Sequence, residues 1–349
     1  MSVVLLALFA CGSPVPPPPA EEPPPAAPPP VAQLPDAPVG ADYAVHEWGL
    51  ISLTSGALST STPTAPVAAT PPKPVVPKPP APHQNPPEGG HPQLTIIKKP
   101  IVYFHPGPTF DAATRITATV TVASGALREV WPTPDRGAQP SHTSTWTWSD
   151  VQVQAGATCD LGWAPAADAP VCTGLTGPVG CEAAELTRYL GDVPGCLDVG
   201  GVATPVLLYN AQGLTVPPPL SVEQGPDGRT LVNDTDWAFG DVWVWTGDSL
   251  LHVTSVAAHA RVHLRAIDTE ALLTLLTGVH AAAMAQGLDS DEANAFVEAW
   301  QPILEAPTWE ILSFYPPEAV DRVSQLTFVP PPREVKRALA FTIDGPPAK

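Results

Sequence analysis

Alternating apolar and polar positions between residues 41 and 266 predict a protein built mainly of β-strands. In residues 115–122 every second side chain is apolar, which is typical of a strand with one buried face. Residues 143–154 alternate likewise, and residues 95–105 are apolar and rich in β-forming residues. Further short strands are predicted at 206–209, 220–224, 230–233, 241–245, 250–256 and 258–266. Short strands separated by turn residues such as Pro226-Asp227-Gly228 favour a β-sandwich-like body.

Helical periodicity appears only near the C-terminus. Asp268 is suited to cap one helix that ends at Gly287, and its apolar face comprises Leu272, Leu275, Leu276 and Val279. A second helix is predicted to begin at Asp289, where Glu292 completes a capping box, and Pro302 is expected to end it. The apolar stripe of this second helix comprises Ala293, Phe296, Val297 and Trp300.

The tail completes the fold class. Residues 310–343 read as a strand, a short helix from Pro317 and two further strands. Residues 99–107 resemble residues 204–213, which suggests a duplicated β unit. We therefore expect a β-rich α+β protein: a β-sandwich-like body, two C-terminal helices and a small terminal α/β segment.

Two proline-rich tracts divide the chain of 349 residues, which holds 49 Pro. Residues 11–40 have almost nothing to bury, so we expect a disordered polyproline stalk there. A second such tract at about 61–92 is expected to interrupt the globular body of residues 41–349.

The N-terminus indicates export. Residues 3–10 form a short apolar stretch of signal-peptide length, and no Lys or Arg precedes it. Leu8-Phe9-Ala10-Cys11 resembles the lipobox of bacterial lipoproteins, which implies a signal peptide at 1–10 and lipidation of Cys11. The resemblance implies a lipid anchor in the cell envelope, with the outer membrane as the expected site. The alternative is an ordinary cleaved secretory signal with Cys11 incidental.

The charge balance excludes one class of partner. Lys and Arg number 16 against 34 Asp and Glu, a formal net charge of −18. Nucleic-acid binding depends on clustered cations, so we expect no nucleic-acid partner.

The four remaining cysteines suit an oxidising compartment. Their spacing matches no close-paired metal motif, so disulfides that staple a loop region at about 155–200 are the expectation. Three connectivities are open for Cys159, Cys172, Cys181 and Cys196.

Three segments together resemble one family. They are Val45-His46-Glu47-Trp48-Gly49, residues 99–105, and the stretch from residues 291–300 to 332–336. The resemblance is to uncharacterised exported bacterial proteins, often predicted lipoproteins, that open with a His-Glu-Trp-Gly-Thr-Phe-like motif. Here Leu50-Ile51 replaces Thr-Phe, and Asn210 stands where relatives tend to carry Arg. The resemblance bears on fold and localisation and implies no activity.

His46 and Glu47 are the first candidates for chemistry, as a metal ligand and a general base. In a strand, adjacent side chains point to opposite faces, so His46 shares a face with Trp48 instead of Glu47. His105 joins His46 if residues 95–105 run alongside. The alternative is a core strand with His46 hydrogen-bonded.

Three further patterns have a structural alternative that we favour. Trp146 with Trp148 and Trp243 with Trp245 are candidate sugar platforms or core packing. His259 and His263 lie about 13 Å apart on a strand, which favours a solvated sheet face over a metal site. Residues 233–236 with Asp241 offer oxygens for Ca²⁺ but lack EF-hand spacing, which favours a charged loop.

Three functions follow as hypotheses. The first is a non-catalytic envelope module that binds a glycan, a peptide or a protein partner. The second is a metal-dependent hydrolase using His46, Glu47 and His105. The third is a structural spacer or display protein.

Overall fold

The computed structural model describes residues 41–54, 95–132, 143–155, 159, 195–247, 249–265, 269–270, 272–305 and 308–345. The predicted signal peptide, stalk and insertion lie outside these residues, as do Cys11, Cys172 and Cys181. None of the helices described is both long and apolar enough to cross a membrane.

The described residues form seventeen strands and three helices, in agreement with the expected β-rich α+β class. The strands are β1 (Ala41–Thr54), β2 (Thr95–Pro106), β3 (Ile116–Val122), β4 (Ala126–Trp131), β5 (Thr145–Ala155), β6 (Gly195–Val199), β7 (Val202–Thr204), β8 (Leu207–Leu214), β9 (Leu220–Gly225), β10 (Gly228–Asn233), β11 (Phe239–Trp245), β12 (Leu250–Val256), β13 (Arg261–His263), β14 (Thr269–Glu270), β15 (Trp309–Phe314), β16 (Ser324–Val329) and β17 (Pro332–Asp344). The helices are α1 (Leu272–Ala285), α2 (Ser290–Glu305) and α3 (Pro317–Val320).

The strands form three sheets. The largest has nine strands in the order β14-β12-β11-β15-β17-β1-β2-β8-β4. A five-stranded sheet has the order β16-β3-β5-β6-β7, and a three-stranded sheet has the order β13-β10-β9. Within the large sheet β1 pairs parallel with β17 and antiparallel with β2.

Strict alternation along β1 assigns its side chains to two different cores. Val45 and Ile51 join a cluster shared with the five-stranded sheet, while Trp48 and Leu50 join a cluster with the helices. The nine-stranded sheet is therefore a middle layer, with smaller sheets on one face and α1 and α2 on the other. His46 faces the helices, and Glu47 faces the smaller sheets.

The sequence predicted most of the strands, with particular exceptions. β4, β6, β7 and β14 were not predicted, and β6 and β7 lie at the end of the region expected to be loop. β1 was considered as a strand only in the argument about His46 and Glu47. The strand predicted at 258–266 is reduced to β13, because His259 adopts a left-handed conformation with φ of 54°. The similar segments 99–107 and 204–213 contribute to β2 and β8, which pair with each other, and the duplication itself stays a prediction.

The predicted apolar faces of the two C-terminal helices are confirmed. The predicted start of α1 and the predicted end of α2 are wrong. α1 begins at Leu272, because Thr269 and Glu270 pair with β12 instead of forming the first turn of a helix. The predicted cap Asp268 lies outside the described residues. α2 continues through Pro302 to Glu305, so the predicted end is wrong. Proline removes one helical hydrogen bond, and burial of Leu304 on the same apolar face as Trp300 offsets that loss.

The turn between α1 and α2 is a Schellman motif. The Leu288 N–H donates to the Ala283 carbonyl at 3.4 Å, and the Gly287 N–H donates to the Met284 carbonyl at 2.9 Å. Gly287 has a φ of 103°, as the predicted role in ending α1 requires.

Gly287→Ala is expected to reduce the free energy of unfolding by about 1–2 kcal/mol, because alanine is strained at this φ. Urea unfolding of the full chain measures the loss. Gly240→Ala is the control, since a Cβ there meets nothing within 4 Å and its φ is not in the left-handed region. Equal stability of the two variants would contradict the assignment of strain to Gly287.

Candidate metal centre

Pairing of β1 with β2 brings His46 and His105 together on the helix-facing side of the large sheet. His46 lies opposite Tyr103, and His105 lies opposite Ala44, so the two histidines are diagonal neighbours. Their ring centroids lie 4.1 Å apart. The sequence anticipated this juxtaposition as the condition under which His105 would join His46.

The third member of the cluster, Glu292, comes from the first turn of α2. The Glu292 N–H donates to Asp289 Oδ1 at 2.9 Å, and the Asp289 N–H donates to Glu292 Oε2 at 3.0 Å. These two bonds form the capping box that the sequence predicted. The box fixes the Glu292 carboxylate at the end of α2 that faces the sheet.

Glu292 bridges the two histidines. Its Oε2 lies 2.8 Å from His46 Nδ1, and its Oε1 lies 2.8 Å from His105 Nε2. A carboxylate only accepts hydrogen bonds, so the hydrogens lie on His46 Nδ1 and His105 Nε2. Burial by itself raises the pKa of Glu292, but the bonds from His105 and His46 outweigh it and lower the pKa to about 2. The carboxylate is therefore ionised at neutral pH.

The cluster is buried on one side and open on the other. The exposed fraction of the side chain is 4% for Glu292, 10% for His46 and 18% for His105. Solvent therefore reaches the cluster at His105, at the outer end of β2.

The three side chains have the chemistry of a transition-metal site. One ligand atom from each of His46, His105 and Glu292 lies within 4.8 Å of the others. Two imidazoles and one carboxylate form a ligand set that zinc uses in sites with an open fourth position. Ca²⁺ and Mg²⁺ prefer all-oxygen ligands, so the set favours zinc or another first-row transition metal. Among the described residues this is the one such cluster found.

Glu47 lies on the opposite face and does not reach this cluster. Its carboxylate accepts from Arg337 Nε at 2.5 Å and from the Tyr209 hydroxyl at 2.8 Å. Arg337 also donates to the Ser324 carbonyl and to Asp321. Glu47 therefore belongs to a buried ion pair that joins β1 to its parallel neighbour β17, and the geometry does not offer it as a general base for a metal at His46.

The tryptophan pairs lie in the cores. Trp148 and Trp243 are buried, and Trp146 and Trp245 are half-buried against the same clusters. The Trp148 indole N–H donates to the Pro132 carbonyl at 2.9 Å. Each pair thus has one buried ring and one half-buried ring packed against a core cluster, which is the packing that the core alternative describes.

The other candidate metal ligands, His259, His263, residues 233–236 and Asp241, do not form a metal site among the described residues. His259 is exposed and pairs with Asp236 at 3.0 Å, and among the described residues it does not join His263 in a cluster of metal-ligating groups. Asn233 is buried, and its side-chain amide donates to the carbonyls of Trp237 and Ala257. Asp241 pairs with His252 at 2.9 Å, away from that loop. The loop therefore uses its polar groups internally.

One disulfide is described. Cys159 and Cys196 are linked with a Cα–Cα distance of 5.2 Å, which attaches the segment after β5 to β6. This pair excludes two of the three connectivities that the sequence left open, and Cys172 and Cys181 lie outside the described residues.

Comparison of the chain with protein-family models, with curated proteins and with solved structures found no match. The resemblance to exported proteins with a His-Glu-Trp-Gly motif therefore stays a prediction, and function is argued from geometry.

Sequence reasoning identified His46 and His105 but missed Glu292 as their partner. Glu292 lies 246 residues from His46 and 187 from His105 along the chain. The capping box alone is a sufficient reason for a glutamate at position 292, so the sequence offered no reason to consider it as a metal ligand. One feature of the sequence could have pointed to Glu292. Residues 291–300 belong to the same family resemblance as the segments that contain His46 and His105.

Proposed function

We propose that this protein is an exported, lipid-anchored bacterial envelope protein and a non-catalytic binding module whose ligand is a divalent transition-metal ion, with zinc the first choice. The observation that carries the proposal is the convergence of His46, His105 and Glu292 within 4.8 Å. The lipobox-like Leu8-Phe9-Ala10-Cys11 supports the location.

The geometry of the cluster requires little rearrangement to hold zinc. Zinc bonds of about 2.0–2.2 Å place ligand atoms about 3.3 Å apart in a tetrahedral site. The two N···O distances are now 2.8 Å, so each needs to lengthen only slightly. The hydrogens on His46 Nδ1 and His105 Nε2 move to the other ring nitrogens, which frees the facing nitrogens as ligands.

Binding is favoured over hydrolysis for a specific reason. The hydrolase hypothesis assigns to Glu47 the role of the base that takes a proton from a metal-bound water. Glu47, the base in the hydrolase hypothesis, is buried on the other face and held by Arg337. Among the described residues, the contacts of His46, His105 and Glu292 identify no other side chain as a base.

Metal content tests the proposal. The full chain, expressed into an oxidising compartment and dialysed against zinc, is expected to retain close to one zinc per chain by elemental analysis. His105→Ala and Glu292→Gln are expected to weaken zinc binding at least about a hundredfold, because each removes a ligand. Glutamine still completes a capping box, so Glu292→Gln is expected to keep the fold.

His263→Ala is the matched control, because it removes an exposed histidine on β13 in a different sheet. Circular dichroism checks that each variant is folded. A folded, zinc-free wild-type protein would overturn the proposal and leave the hypotheses of a glycan, peptide or protein ligand and of a spacer. Full zinc retention by both ligand variants would also overturn it.

A further inference from the structure

Lys336 lies beside the proposed metal centre. It is in register with His46 on the neighbouring parallel strand β17, so both side chains project from the helix-facing side of the sheet. A Cβ built on Gly287 would lie 2.5 Å from Lys336 Cδ, which shows that the lysine stem packs against the turn leading into α2. Lys336 is therefore held between the strand that carries His46 and the turn that precedes Glu292.

The ammonium group of Lys336 is only weakly engaged. Its Nζ lies 3.4 Å from Glu334 Oε1, and the exposed fractions of the two side chains are 34% and 50%. In the sheet, Glu334 lies opposite Ala44, which lies opposite His105. The lysine is thus directed toward the row of paired residues Glu334, Ala44 and His105, which runs across β17, β1 and β2. His105 is the more exposed of the two histidines.

We infer that the metal centre, which rests on the proposed function above, binds a small carboxylate at its fourth coordination position and that Lys336 contacts this carboxylate. Three protein ligands leave one position of a tetrahedral metal open. A divalent ion with one carboxylate ligand carries a net charge of +1, and Lys336, which is paired with His46 on the neighbouring strand, adds a second positive charge. The site therefore attracts an anionic oxygen ligand.

Charge favours a monoanion over phosphate. Glu334 lies beside Lys336, and the whole chain carries a formal charge of −18. A phosphate dianion would meet stronger repulsion from this field than a carboxylate of single charge. Compact monoanionic carboxylates are therefore the ligand class assigned to the site.

Cobalt substitution tests the inference, because the visible bands of Co²⁺ report directly on its ligands. The full chain loaded with Co²⁺ is titrated with acetate at constant ionic strength. We expect a saturable shift of the bands, and Lys336→Met is expected to weaken acetate binding about fivefold, the upper end for a partly exposed ion pair. Arg261→Met is the control, since Arg261 forms an exposed ion pair with Glu223 in a different sheet.

Each contrary result has its own meaning. Cobalt bands that do not respond to acetate, or that respond equally in Lys336→Met, would overturn the inference while leaving metal binding intact. Bands that change in Glu334→Gln but not with acetate would identify Glu334 as the fourth ligand instead. Tighter binding of phosphate than of acetate would overturn the ligand class. Failure of the wild-type protein to bind Co²⁺ and Zn²⁺ would overturn the proposed function and this inference together.

Discussion

Arg337→Met is expected to reduce the free energy of unfolding by about 3–5 kcal/mol, because it leaves Glu47 buried without its charged partner. Glu47 has an exposed fraction of 0%, so water cannot replace the guanidinium. Burial by itself lowers the pKa of Arg337, but the charge of Glu47 outweighs it and raises the pKa, so the guanidinium is charged. Guanidinium unfolding of the full chain with linear extrapolation measures the loss.

Arg333→Met is the matched control for this prediction. Arg333 lies on β17 like Arg337 and pairs with Asp42 of β1 at 2.5 Å, but its side chain is 45% exposed. Exposed pairs contribute about 0–1 kcal/mol, so the control should lose little. The double variant Glu47→Leu with Arg337→Met should recover much of the loss, since it removes the unpaired charge. A loss in Arg337→Met no larger than in Arg333→Met would contradict the role given to the buried pair.

Removal of the disulfide is expected to cost about 4 kcal/mol. The bond between Cys159 and Cys196 spans a sequence separation of 37, and closure of a loop of this size in the unfolded chain gives that value in the chain-entropy model. The double variant Cys159→Ala with Cys196→Ala measures the effect by denaturant unfolding. Reduction of the wild-type protein should produce a loss at least as large.

Peptide mapping is the independent check on this prediction. Digestion without reduction should yield one peptide pair linked through Cys159 and Cys196. A Cys159–Cys172 link would contradict the connectivity, and unchanged stability of the double variant would contradict the contribution assigned to the bond.

Local signals in the sequence predicted the elements that depend on local chemistry. The period of two in residues 115–122 predicted β3, and the spacing of Asp289 and Glu292 predicted the capping box observed at the start of α2. Both depend on residues close in the chain. The end of α2 was mispredicted at Pro302 because burial of Leu304 is a tertiary effect that no local rule includes.

At the candidate site, too, one part was predictable from neighbouring residues and another part was not. Alternation along residues 45–49 is enough to place His46 and Glu47 on opposite faces, since this follows from strand geometry alone. The residues that His46 and Glu47 contact on those faces were not predictable, because these partners come from distant segments of the chain. Arg337, for example, lies 290 residues from Glu47.

By itself the sequence determined the strand-rich fold class, the capping box of α2, the end of α1 at Gly287 and the separation of His46 from Glu47, because each follows from side chains a few residues apart. Only the tertiary structure decided that His105 and Glu292 complete a cluster with His46 and that Glu47 forms a buried ion pair with Arg337. It also decided that Cys159 pairs with Cys196. These outcomes depend on the order of strands in the large sheet and on the packing of α2 across it, and contacts between distant segments carry no local pattern.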